Sequence, residues 1–192
     1  MKRIQECILA MQAIVLSAIF LMAGCAGVSP NTNQSPDQFP NALMAEPVKL
    51  RAGFVHVTQA FEIQGPEQVW NVSLGFRPRD DLMPFKKFRC LVTSRLDPLR
   101  KYSECTDEES SIWVKWELIG SQDKTIASST YNALVEDSGM TSSKNAYTIS
   151  FSGFRGQPKG FYRLRFTALR DVPELDVTQP FILVDKPFFR KL

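Results

Sequence analysis

The chain has 192 residues and a formal net charge of +3, so bulk charge makes no case for nucleic acid or an acidic polymer as partner. Its single histidine, His56, excludes histidine-rich zinc sites in practice. About 145 residues beyond the N-terminal segments suffice for one domain with one core.

Lys2 and Arg3 precede an apolar run from Cys7 to Ala23 that only Gln12 and Ser17 interrupt. As a helix, at about 1.5 Å per residue, this run is shorter than a hydrocarbon core of roughly 30 Å. A positive start, a short apolar stretch and small residues at its end describe an export signal instead. The run closes on Leu21-Met22-Ala23-Gly24-Cys25, which resembles the lipobox of bacterial lipoproteins, with Met22 where leucine is usual. The resemblance implies a diacylglyceryl group on the Cys25 thiol, cleavage before Cys25 and acylation of the new amine. Several acyl chains on one residue exceed the two-signal threshold for stable membrane anchoring. Ala26, where an aspartate would imply retention in the inner membrane, points to the outer membrane. Residues 26–47 carry four prolines and three asparagines but neither lysine nor arginine, a composition that cannot offset its ordering entropy by burial. The expected organisation is therefore a signal peptide (1–24), lipidated Cys25 with a flexible tether (25–47), and a folded domain (48–192) facing the periplasm. Removing the signal takes away Lys2, Arg3 and Glu6 and leaves a charge of +2.

From residue 54 onward, alternation of period two dominates. It places Trp70, Val72, Leu74 and Phe76 on one face of a strand; Ile112, Val114, Trp116 and Leu118 repeat the pattern. Tyr147, Ile149 and Phe151 do the same, as do Tyr162, Leu164, Phe166 and Ala168. Weaker candidates cover 53–63, 125–135 and 181–186. About seven half-buried strands with turn signals between most of them predict a mainly β fold, an antiparallel β-sandwich of immunoglobulin-like type.

One long connection departs from this pattern. Leu82, Phe85, Phe88 and Leu91 recur at three-residue steps behind Asp80, Asp81 and Pro84, which predicts a short helix entered near Asp81. Once the signal is removed and Cys25 is acylated, Cys90 and Cys105 remain as an even pair in an oxidising compartment, so a disulfide is expected. The same connection carries Lys86, Lys87, Arg95, Arg100 and Lys101. With Arg163 and Arg165, which alternate with Leu164 and Phe166, these cations form the candidate surface for a protein partner or an anionic group.

Near the C-terminus, Gly160 and Tyr162 at the start of an alternating strand look like a tyrosine corner, in which the phenol bonds back to the backbone. Gly160, Tyr162, Arg163 and Leu164, followed by Leu169, Arg170, Asp171, Pro173, Glu174 and Leu175, resemble an uncharacterised family of bacterial periplasmic lipoproteins. The resemblance covers most of residues 55–185 and implies a β-sandwich without an established activity. The cysteine pair and the polar 136–145 connection depart from that family's pattern.

No constellation for catalysis is apparent. His56 lies between Val55 and Val57 in an alternating strand, and no free thiol is left for a Cys–His pair. The chain has no nucleophile-elbow G-x-S-x-G, P-loop, G-x-G-x-x-G or EF-hand pattern. The acidic groups Asp80-Asp81, Asp107-Glu108-Glu109 and Asp171, Glu174, Asp176 fall in expected turns. The reading is a non-enzymatic, lipid-anchored binding or structural module with an unknown periplasmic protein partner, no cofactor and no metal. Two alternatives stay open: an immunity lipoprotein against a periplasm-acting toxin, and an envelope hydrolase using loop carboxylates.

Overall fold

The computed structural model describes residues 39, 42–79, 81–93, 105, 112–136, 138–142 and 146–186. The expected lipidation site Cys25 and the cations Arg95, Arg100 and Lys101 lie outside them, as do Asp80 and the 107–109 acids. All described residues belong to one compact unit, 34–192.

Ten strands are present among the described residues: β1 (Ala42–Pro47), β2 (Val55–Val57), β3 (Phe61–Ile63), β4 (Val69–Phe76), β5 (Trp113–Ile119), β6 (Thr125–Asn132), β7 (Gly139–Ser142), β8 (Tyr147–Arg155), β9 (Gly160–Ala168) and β10 (Phe181–Asp185). One five-stranded sheet, here sheet A, runs β1-β10-β4-β8-β7. Sheet B runs β2-β9-β5-β6, with β3 also paired to β9. Every pairing is antiparallel.

The inward faces carry the alternating residues that the sequence marks. Trp70, Val72, Leu74 and Phe76 of β4 share one buried cluster with Val114, Trp116 and Leu118 of β5 and with Tyr162, Leu164 and Phe166 of β9. Ring contacts cross between the sheets, Trp116 to Phe154 at 5.9 Å and Tyr131 to Phe151 at 5.0 Å between centroids. Phe154 reaches the core because β8 bulges: Ser73 opposes Ser150 while Val72 opposes Ser152, so the inward alternation Tyr147, Ile149, Phe151 resumes at Phe154.

Two expectations need correction. The strand count is ten among the described residues, not about seven, and the folded domain does not begin at 48. Residues 42–47, expected to be tether, form β1 and pair with β10 along the edge of sheet A. An edge strand is held by its backbone ladder, so it can form without the hydrophobic alternation that marks a central strand. The polar 136–145 connection likewise contains β7, which pairs with β8. The expected strand at 53–63 is broken into β2 and β3.

The break has a definite cause. Thr58 N–H donates to Leu164 O at 2.9 Å, but Leu164 N–H returns its bond to Thr58 Oγ1, also at 2.9 Å, not to the Thr58 carbonyl. A side-chain oxygen thus takes the place of a backbone acceptor in the ladder, and the chain turns before pairing resumes at Phe61.

The helix α1 (Phe85–Val92) starts four residues later than expected, after Pro84 at its N-cap. Asp81 instead forms an exposed pair with Arg79. Of the three-step stripe, Phe88 and Leu91 are buried, whereas Leu82 is 51% and Phe85 39% exposed. Phe88 packs edge-on against Phe76 at 5.6 Å and against Tyr147 at 5.5 Å, which seats the helix at one end of β4 and β8. Cys90 of this helix is bonded to Cys105.

Candidate functional site

The candidate cations divide between separate places. Lys86 and Lys87 sit on the exposed side of α1, while Arg163 and Arg165 lie on the outward face of sheet B. On sheet B the cations are matched by acids. Arg163 pairs with Asp123, and Arg165 approaches Glu117 at 3.4 Å while Lys115 reaches the other carboxylate oxygen at 3.3 Å. The registers explain this: Arg165 stands directly opposite Glu117, and Lys115 is two residues away on the same strand and face. Screening leaves an exposed pair such as Arg163–Asp123 worth about 0–1 kcal/mol, but together these contacts neutralise the surface.

Tyr162, Asp171 and Pro173 of the C-terminal motif are engaged within the fold. Tyr162 Oη donates to the Pro158 carbonyl at 2.8 Å, four residues upstream. Gly160 opens β9 opposite Ile63. Asp171 Oδ1 accepts from Ala52 N–H at 2.9 Å and Asp176 Oδ2 from the Arg51 guanidinium at 2.6 Å, so these two acids clamp the 51–53 turn. Pro173 begins the 3-10 turn Pro173–Thr178, whose Leu175 is fully buried, while Glu174 is exposed. His56 is also engaged. Its Nε2 lies 2.8 Å from Glu46 Oε2, and Glu46 Oε1 accepts from Gln59 N–H at 2.8 Å. Glu46 therefore ties the edge strand of sheet A to the break in the edge of sheet B. Among the described residues, no group of three or more His, Cys, Asp or Glu side chains could hold a metal ion.

Sequence reasoning missed the polar cluster on the outward face of sheet A. Ser73 Oγ and Ser150 Oγ are 2.8 Å apart, and Ser73 Oγ donates to Asp185 Oδ1 at 3.4 Å. Cross-strand pairing creates the cluster, since Ser73 opposes Ser150 on β8 and Leu183 on β10, where Asp185 follows two residues later. The only sequence signal was a polar residue at alternate positions of β4, which reads as a solvated face; Ser73 is instead fully buried. Burial pushes the Asp185 carboxyl up to about 6, against a smaller lowering by the Ser73 hydrogen bond.

The sign of the resulting pH effect follows from linkage. A carboxyl whose folded pKa lies above its unfolded value binds its proton more tightly when folded. This group therefore favours folding more as pH falls from about 6 towards 3.8, and disfavours it above that window. Asp185→Asn is expected to raise the urea midpoint at pH 7 and leave it nearly unchanged at pH 4. Equal shifts at both pH values would show that ionisation of Asp185 is not the cause.

These features define the class of protein as a two-sheet antiparallel β-sandwich with a disulfide-bonded helix in the β4–β5 connection. No family model matches the chain, and no curated protein sequence matches it. Among solved structures, the crystal structure of a protein from Sulfurospirillum deleyianum is similar: the TM-score is 0.53 at 19% identity, covering 76% of this chain and 98% of the other. At that identity the likeness concerns the fold.

Proposed function

We propose that the chain is a lipid-anchored, non-enzymatic binding or structural module of the bacterial envelope, held at the membrane through Cys25 and presenting its sandwich to a protein partner in the periplasm. The lipobox at 21–25 supports the anchor. The observation that favours binding over catalysis is the engagement of Asp171 and Asp176, two of the candidate acids, and of the histidine and several sheet carboxylates. Asp171 and Asp176 clamp a turn, Glu117 and Asp123 pair with sheet cations, and Glu46 pairs with His56. Each of these groups has a structural partner, whereas general acid–base work needs carboxyls free to face a substrate across a cleft.

The anchor is tested by Cys25→Ser in a bacterial host. The substituted chain should incorporate no labelled palmitate, keep its N-terminal segment and leave no acylated form in the membrane fraction. Palmitate incorporation at the wild-type level would overturn the anchor. Affinity capture of the lipidated protein from solubilised membranes then tests the binding role: a stoichiometric protein partner supports it, and recovery of the chain alone counts against it.

A further inference from the structure

An open sheet edge is a row of unpaired N–H and C=O groups, and natural sandwiches interrupt or shorten such edges. Three of the four edges here are treated in that way. β1 carries a register shift between Ala42 and Met44 and ends at Pro47. β7 has only four residues. The β2/β3 edge is broken at Thr58 and its Gln59 N–H is capped by Glu46.

The fourth edge, β6, is different. It runs for eight residues, TIASSTYN, without a charge or a proline. Although its register shifts at the start, where Thr125 faces Ile119 and Ala127 faces Leu118, it is regular from Ala127 to Asn132. Its outward groups follow from ladder parity. Ala133 N–H donates to Ile112 O, and Leu169 N–H donates to Trp113 O, so even-numbered residues of β5 bond to β6 and odd-numbered ones to β9. Tyr131 and Ser129 therefore turn their backbone groups to β5, and Ser128, Thr130 and Asn132 turn theirs outward. Asn132 is satisfied locally, since its N–H donates to Glu136 Oε1 and its carbonyl accepts from Val135 and Glu136. Thr130 O receives only a 3.5 Å contact from Ser129 Oγ. The Ser128 N–H and C=O and the Thr130 N–H have no partner among the described residues, and both side chains are exposed.

We propose that β6 pairs with β6 of a second copy, antiparallel about a two-fold axis at Ser129, so that Ser128 of each copy exchanges backbone hydrogen bonds with Thr130 of the other. The open groups are self-complementary in this register, as a two-fold interface requires. No charged side chain of β6 meets its own copy. The flanking charges do not oppose the pairing: Lys115 stands beside Thr130 and Glu117 beside Ser128, so no like charges meet across the axis. Each row that continues across the axis therefore has Lys115 of one copy on one side and Glu117 of the other copy on the opposite side. The pairing joins two copies of sheet B into one continuous sheet.

Cysteine cross-linking in the full chain, in mild detergent, tests the register. At the axis, Ser129 faces itself as a non-hydrogen-bonded pair, with Cα atoms about 4.5 Å apart, close enough for a disulfide. Ser129→Cys should give a covalent dimer on mild oxidation, with the 129–129 bond mapped by mass spectrometry, and Thr125→Cys should give at least ten-fold less. In sedimentation equilibrium, Thr130→Pro and Thr130→Lys should each raise the dimer dissociation constant at least ten-fold without changing the circular dichroism spectrum, because the Thr130 N–H points away from β5. A chain that is monomeric at about 100 μM and forms no 129–129 bond overturns the proposal, as does a dimer that both Thr130 substitutions leave intact.

Discussion

Phe181→Ala is expected to lower the unfolding free energy by about 3–5 kcal/mol, the range for truncating a fully buried phenylalanine. The ring is completely buried although it points away from the space between the sheets. It lies under the Arg77 guanidinium at 4.5 Å and beside Phe39 at 5.2 Å, over the backbone of Gly75 on the neighbouring strand. A Cβ at position 75 would come within 2.0–2.6 Å of three ring atoms. Gly75→Ala is therefore expected to cost about 1–3 kcal/mol through overpacking. In the Phe181→Ala background that cost should vanish, because the atoms it would strike are gone. A double-mutant cycle by urea denaturation measures the coupling. Additive losses would show that the ring does not occupy the space over Gly75.

Breaking the Cys90–Cys105 bond is expected to cost about 3 kcal/mol, the chain-entropy value for a loop of this length; the two cysteines are 15 residues apart in sequence. Cys90 lies on α1 beside Phe88, so the bond ties the long β4–β5 connection to a helix already seated on Phe76 and Tyr147. Guanidinium titrations with and without a reductant should show the wild type losing this stability and the Cys90→Ala/Cys105→Ala chain indifferent to the reductant. Equal curves for the wild type in both conditions would mean that the bond contributes nothing to global stability and orders its own loop alone.

The two results bear on different kinds of legibility. The cysteine pair could be read by counting, because a disulfide needs only two thiols and an oxidising compartment. The role of Phe181 could not. In β10 the residues Phe181, Ile182, Leu183 and Val184 are all buried, two towards the core and two towards the opposite face. A continuous apolar run of that kind shows burial but not which neighbour fills which space.

Sequence alone determined the inward faces of β4, β5 and β9, since period-two alternation of large apolar residues is a local property. It also determined the mainly β class and the residues of the tyrosine-bearing motif. Only the tertiary structure decided what depends on cross-strand register and on backbone pairing. Register set Arg165 against Glu117, placed Ser73 between Ser150 and Asp185, and let Glu46 reach both His56 and Gln59. Backbone pairing made a strand of residues 42–47, whose composition reads as a linker, and left β6 with its outward groups open. Hydrogen bonds of the main chain are the same for every residue but proline, so side-chain pattern carries little record of which edge strands they join.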